Sequence, residues 1–400
     1  MLLLKFNLKC NFACDYCYQN PIKPDGTEKI DYDAVEKVVR ELHEKSVRRD
    51  KDGKPIPDQS GCIGRQIVLH GGEPLFQDKS VIERFLKLSN ELYGRSSIQT
   101  NGYLIDSDLI ATFKKYKTGV GISIDGPYPC NSFRGKGTST QKKEQTEKVM
   151  KNMDKLIENG ITPSVIVVVS RSNSLGDRRE LLKNWIRELN GKHITGRLNP
   201  CFTGNKKFDL TPEELTDFYM DIYDYMERYG ISGWSPFADI RRSLLGDDYV
   251  ECKFRGCDPF ATPAATTILN DGSVGVCLRI YQDGKEYLRA PEFSPVRMDV
   301  LKQTDCKDCR WWDYCKGGCL GTARDGDWRN KDTYCEVWKA LFERTENSMK
   351  FLGVDKATVC KPVQTSEQPP EGMKIRAEGE HSDGIEHSDG GWVHLDSNVR

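Results

Sequence analysis

The chain has 400 residues, beyond the size at which a single hydrophobic core stops growing, so one large domain and a smaller one are expected. Its 59 Lys and Arg against 60 Asp and Glu leave a formal charge of −1, which removes any charge-based case for nucleic acid or an anionic membrane. No window approaches the roughly 18 uninterrupted apolar residues of a spanning helix, and without a secretory signal the 15 cysteines are expected as free thiols in a soluble, cytoplasmic protein.

In chain order, the runs "LLLKFNL", "QIVLH", "SSIQTN", "GVGISID", "SVIVVVS" and "HITGRLNP" are apolar and rich in β-branched residues, which predicts six strands. The segments between them, from "DYDAVEKVVRELHEK" to "RRELLKNWIREL", repeat apolar residues at i, i+3 and i+4 behind Asp or Ser starts, as amphipathic helices do. Such alternation predicts parallel βαβ units closed or partly closed as a barrel, with active groups in the loops after the strands. Residues 48–64, "RRDKDGKPIPDQSGCIG", read as an insertion before the second strand. "LTPEELTDFYMDIYDYMERYG" predicts a helix capped by Thr211 with Pro212 in its first turn. From about residue 362 the chain is poor in apolar residues, which predicts disorder, and its two "HSDG" repeats read as solvated low complexity.

Cysteines fall into two groups. Cys10, Cys14 and Cys17 form C-x3-C-x2-C in the loop after the first strand. Three thiolates on one short loop can hold three irons of a cubic four-iron cluster and leave the last iron without a protein ligand. A zinc site completed by a distant residue, or chance proximity, would give the same spacing. The second group is Cys252, Cys257, Cys277, Cys306, Cys309, Cys315, Cys319 and Cys335, built around "CKDCRWWDYCKGGC" and preceded by "GSVGVC". Eight thiolates equal two full four-cysteine sites, for iron-sulfur clusters or for zinc. Cys62, Cys130, Cys201 and Cys360 are left over and read as core or surface thiols.

The first motif, with Tyr16 before its third cysteine, resembles the radical S-adenosylmethionine (radical SAM) superfamily, whose members carry it after the first strand of a partial (β/α)6 barrel. "HGGEPLF" after the second strand looks like that family's GGE motif, which implies that Gly71, Gly72 and Glu73 meet the methionine amino group of the cofactor. "IQTNG" with Asn101 and "SIDGP" with Ser123 and Asp125 resemble cofactor-lining stretches, Ser123 as a ribose contact. Arg134, in "NSFRGKGTST", resembles the arginine that pairs with the cofactor carboxylate, a role suited to its forked donors.

The downstream cysteine series resembles a SPASM domain, which implies two auxiliary [4Fe–4S] clusters: Cys252, Cys257, Cys277 and Cys319 on one, Cys306, Cys309, Cys315 and Cys335 on the other. The resemblance divides the chain into a barrel over 1–205, a helical bridge over 206–250, a SPASM domain over 251–345 and a helix end with tail over 346–400. With three clusters and S-adenosylmethionine as cofactors, it implies oxidative modification of a peptide or protein, as a crosslink, a thioether or a related change. The partners implied are that substrate and an electron donor such as flavodoxin or ferredoxin; since the first strand begins at residue 2 or 3, a leader-bearing peptide is expected to be recognised by a separate leader-binding protein, by the barrel mouth or by the C-terminal tail. Sulfatase maturases carry an acidic base directly after the cysteine of G-x4-C, where this chain has Leu278, so formylglycine formation ranks second. Asp258 is a replacement candidate, although a loop acid capping local amides is the commoner arrangement. A non-catalytic zinc or iron-sulfur protein is the reading from another class; "CRWWDYCK" is its one candidate for nucleic-acid contact, and Trp311 and Trp312 there read rather as a shield against water.

Overall fold

The structure, a computed structural model, describes residues 1–5, 9–19, 30–58, 61–247, 250–259, 265–277, 279, 281–282, 285–286 and 296–357, with three short backbone strands between 374 and 394. Leu278 and Cys360 lie outside the described residues, as does the tail expected to be disordered apart from those strands. The chain divides into two compact units, Met1–Ile240 with Ala265–Val274, and Arg241–Ala264 with Gly275–Arg400.

In the first unit all six foreseen strands form: β1 (Leu2–Lys5), β2 (Ile67–His70), β3 (Ser97–Thr100), β4 (Gly119–Ser123), β5 (Ser164–Val169) and β6 (Gly196–Pro200). Each pairs in parallel with the strand before it, Leu2 opposite Ile67 and Val165 opposite Gly196 among others. Leu2, Leu4, Ile67 and Leu69 are fully buried, as strands covered by helices require. Intervening helices are α1 (Tyr32–Glu44), α2 (Lys79–Tyr93), α3 (Ser107–Lys115), α4 (Ser139–Glu158) and α5 (Gly176–Gly191). Helix α6 (Pro212–Tyr229) starts as expected, with Thr211 and Glu214 closing a capping box and Pro212 in the first turn, and it clusters with this unit rather than in a separate bridge.

One expectation needs correction: the sheet holds eight strands rather than six. β7 (Thr266–Ile268) pairs in parallel with the free side of β1, and β8 (Val274–Gly275) follows at the edge, giving the order β6-β5-β4-β3-β2-β1-β7-β8. Runs of three and two residues carry no readable period, and they lie in a stretch the cysteine pattern assigns to the second domain. Since β1 to β6 run in parallel, their last residues share one edge, and the loops leaving that edge carry Cys10 to Cys17, Gly71 to Glu73, Asn101, Asp125 and Arg134.

The second unit is built from short elements: a hairpin of β9 (Tyr281–Gln282) and β10 (Lys285–Glu286), then α8 (Arg297–Gln303), α9 (Trp312–Cys315) and α10 (Cys335–Phe351). α7 (Phe237–Leu244) leads into it. Its core is aromatic, with Phe254 edge-on to Trp338 and Phe342 at 6.1 and 5.4 Å and Trp311 stacked on Phe342 at 5.4 Å. Among the described residues no helix is long and apolar enough to cross a membrane.

Candidate metal centres

The three-cysteine loop of the first unit is held by its neighbours rather than by any structure of its own. Ala13 and Asp15 donate backbone N–H bonds to the carbonyls of Gly135 and Phe133, at 3.3 and 2.8 Å. Glu73 donates its N–H to the Lys9 carbonyl at 2.9 Å, and Asn101 donates Nδ2 to Asn11 Oδ1 at 2.8 Å. Thus the loops after β2, β3 and β4 fix the cysteine loop from three sides. The Phe12 N–H points at Cys10 Sγ, 3.3 Å away.

Glu73 is buried and fully engaged. Its carboxylate accepts from Leu75 N at 3.0 Å, Thr100 Oγ1 at 2.6 Å and Asn101 N at 2.7 Å, while burial still pushes its pKa above the ordinary carboxylate value. Glu73 therefore acts as a brace between the turn and the end of β3. Gly71, at φ +132°, takes a conformation that favours glycine, and its N–H donates to His70 Nδ1 at 2.8 Å. With the amides of Gly71 and Glu73 spent on the protein, what the turn offers a donor such as an amino group is its carbonyls, and among the described residues no backbone amide bonds those of Gly71 and Gly72.

Beside Cys14 lies a buried chain of three groups. The Tyr16 hydroxyl donates to Asp125, Arg134 Nη1 donates to the same hydroxyl at 2.9 Å, and the Arg134 and Asp125 charges stand 4.0 Å apart. Asp125 is fully buried and also accepts from the Val168 N–H at 2.9 Å. It is thus a scaffold for Tyr16 and Arg134 rather than an open ligand group. Burial raises the pKa values of Cys14, Tyr16 and Asp125 alike, and the Arg134 charge opposes each rise. Ser123 Oγ, half-buried, accepts from Gln99 Nε2 at 2.8 Å.

In the second unit the eight cysteines separate into two sets. Cys257 is buried, and its thiol is pushed far up by burial and then by repulsion from Cys319, Cys252 and Cys277. Cys315 is pushed up by burial and, among its neighbours, by Cys335, Cys306 and Cys309. Those last four line one cavity with Trp311, Trp312, Gly317, Asp332, Lys339 and Phe342. Cys315 and Cys319, four positions apart, face different sets because Lys316, Gly317 and Gly318 all take left-handed φ angles, +53°, +81° and +75°, and reverse the chain between them. A Cβ on Gly318 would stand 2.5 Å from that of Asp332, whose carboxylate accepts from Cys319 N at 3.0 Å and Trp338 Nε1 at 3.0 Å.

A family profile described as the Radical SAM superfamily matches residues 57–183. The Cysteine-type anaerobic sulfatase-maturating enzyme of Clostridium novyi (strain NT) is 23% identical over 390 aligned positions, covering 88% of this chain and 96% of that protein. Residues 57–183 are thus a radical SAM domain. In fold the chain is similar to native anSMEcpe with bound AdoMet and Cp18Cys peptide, at a TM-score of 0.67 and 20% identity, covering 88% of this chain and 99% of that one. It is also similar to Streptococcus suis SuiB bound to precursor peptide SuiA, at a TM-score of 0.55 and 17% identity over 84% of this chain and 75% of that one.

This radical SAM enzyme takes S-adenosylmethionine and iron-sulfur clusters as cofactors, and its residues fit both. Arg134 Nε is buried without a partner beside the cysteine loop, a donor that a carboxylate would satisfy. Cys257 and Cys315, each pushed up by burial and by the thiols around it, are the kind of thiols that a cationic centre stabilises as thiolates. Among the described residues no group of three or more His, Cys, Asp or Glu side chains closes on a point as a single-ion site does.

Asp258 is fully buried, and its Oδ2 accepts the N–H groups of Val296 and Arg297 at 2.8 and 2.9 Å, the arrangement of a loop acid capping local amides. Of the leftover thiols, Cys62, Cys130 and Cys201 are buried, Cys201 against Tyr16 and Phe208 and Cys130 pushed up to about 12 by burial. Sequence reasoning missed Asn11, Asp332 and Arg297. Asn11 sits inside the cysteine motif and was within reach; nothing local in the sequence marks Asp332 or Arg297 for burial, and only folding buries them.

Proposed function

We propose that Cys10, Cys14 and Cys17 hold a [4Fe–4S] cluster on which S-adenosylmethionine binds, and that the enzyme oxidatively modifies a peptide or protein. What carries this reading is the pairing of a three-thiol loop with a buried arginine whose Nε lacks a partner. Bound there, the cofactor pair supplies a 5′-deoxyadenosyl radical on reductive cleavage, with methionine as the other product. Arg134 orients the cofactor carboxylate, the carbonyls of the Gly71–Gly72 turn receive its amino group, and Ser123 lies at the strand end suited to the ribose. Tyr16 and Asp125 keep Arg134 in place. Phe12, Phe133 and Phe208 line the loop with apolar surface, which limits water. In the second unit, Cys252, Cys257, Cys277 and Cys319 hold one auxiliary cluster and Cys306, Cys309, Cys315 and Cys335 the other. Full cysteine ligation suits them to electron transfer, fed by a flavodoxin or ferredoxin, and a separate protein presents any leader-bearing substrate.

Anaerobic reconstitution is expected to give about twelve irons per chain, and Ala at Cys10, Cys14 and Cys17 is expected to abolish 5′-deoxyadenosine release under dithionite. Persistent release would rule the site out. Coverage of 96% of the Clostridium novyi protein favours a second reading, formylglycine formation. The two separate on a candidate peptide: an aldehyde trapped by a hydrazide probe marks formylglycine, whereas a loss of about 2 Da without hydrazide capture marks a crosslink.

A further inference from the structure

Arg297 opens α8 in the second unit and is fully buried. Arginine does not shed its proton in a protein, so the interior there carries a permanent positive charge. A buried charge is ordinarily matched by one of opposite sign. Here every guanidinium bond goes to a backbone carbonyl: Nε to Trp328 at 2.7 Å, Nη1 to Cys257 and Gly318 at 3.2 Å each, Nη2 to Gly317 at 3.2 Å and Asn330 at 3.0 Å. Asp258 binds the Val296 and Arg297 backbone amides, and among the described residues no carboxylate forms an ion pair with the guanidinium. The charge is solvated by dipoles and left unspent.

Those carbonyls belong to loops of both thiol sets. Cys257 is itself in the first, and Gly317 with Gly318 forms the turn between Cys315 of the second and Cys319 of the first. Their left-handed conformations bring two successive carbonyls onto one guanidinium. A side chain at Gly317 is disfavoured by its φ of +81° and would make Leu301 shift, whose Cδ1 lies 2.3 Å from where a Cβ would stand. The field extends to Cys306, where Arg297 opposes the upward push of burial, Cys309 and Asp305.

We propose that Arg297 is the fixed counter-charge of both thiol sets, a positioning residue that gathers their loops and raises the reduction potentials of the clusters they hold. The inference rests on the reading of those sets as two auxiliary clusters. A four-thiolate iron-sulfur cluster carries net negative charge, which grows by one as it takes up an electron, so a cation held nearby in a medium of low dielectric favours the reduced form. Asp332, which lines the cavity of the second set, binds Cys319 N and Trp338 Nε1 rather than the guanidinium.

The test uses the full chain carrying Ala at Cys10, Cys14 and Cys17, so that only the auxiliary clusters contribute, followed by redox titration with electron paramagnetic resonance. The parent is expected to hold about eight irons in two couples. R297M is expected to keep that iron and to move both couples to more negative potential, while R297K, which keeps the charge, stays near the parent. Unchanged potentials in an iron-replete R297M would overturn the inference. Should R297M fail to load iron, R297K decides: recovered iron and parent-like potentials support the counter-charge, and no recovery overturns it. A parent holding about four irons or fewer overturns the auxiliary-cluster reading itself, and this inference with it.

Discussion

The two units gather sulfur in opposite ways. In the first, three thiols lie within residues 10–17 and owe their placement to carbonyls and amides donated by other loops, Phe133, Gly135 and Glu73 among them. In the second, each set draws on cysteines far apart in the chain, Cys252 with Cys319 and Cys306 with Cys335, and both sets lean on one buried arginine. A ligand group local in sequence can leave a coordination position open and let its surroundings shape the ligand that fills it. On the proposed reading, a group assembled across the fold supplies four thiols to its cluster and leaves no coordination position open. The difference teaches that an open site takes its specificity from the loops around it, whereas a closed one takes its properties from the charge and packing behind it.

The sharpest way to break this contrast is to remove one thiol from either side of the Gly317–Gly318 turn. C319A and C257A are each expected to lose about four irons and to leave the same residual signal, while C315A loses about four irons and leaves the other one. If C319A and C315A removed the same signal, the interleaving would be wrong. R134M probes the open site: with the bidentate partner of a carboxylate gone, and with Asp125 left buried beside Tyr16, affinity for S-adenosylmethionine is expected to fall by about 2–3 kcal/mol, or roughly 30- to 150-fold, at unchanged iron content. Equilibrium binding to the reconstituted variant measures it.

A smaller effect tests the turn after β2. Burial, with the Lys5 charge adding to it, holds the His70 imidazole down to about 4 from its ordinary 6.5. A depressed folded-state value means that this contribution to stability is complete above pH 6.5 and is lost as the pH falls towards 4. Thermal melts across that window are expected to lose about 2 kcal/mol, allowing for the water that reaches this half-buried ring, and H70Q is expected to flatten the slope. A slope unchanged in H70Q would remove His70 from the account. The smallest effect belongs to the scaffold: T211A, which removes the cap of α6, is expected to cost about 1 kcal/mol in urea unfolding without touching iron content.

Much of this was legible in the residues. Runs such as "SVIVVVS" declare buried parallel strands by apolar β-branched content, and the cap at Thr211 appears as Thr followed three positions on by Glu. Trp311, read as shielding the nearby thiols, lines their cavity. Tyr16, Glu73, Asn101, Asp125 and Arg134, which the family resemblance assigns to one site, do meet around the cysteine loop, but in roles the sequence does not display. Asp125 and Glu73 are braces, each spent on protein donors. β7 escaped notice because three residues have no period, and no spacing shows that the Asp258 carboxylate holds two amides.

By itself, then, the sequence determined the chemistry on offer: three thiols on one loop, eight more downstream, and a run of parallel βα units to carry them, because side-chain type, spacing and hydrophobic period are local properties. Only the tertiary structure decided that an arginine in "SPVRMDV" lies buried against the loops of both cysteine sets, and that the Arg134 Nε is left unpaired. Burial, pairing and the direction of a charge depend on what packs against a residue from distant parts of the chain, and no period or spacing encodes that.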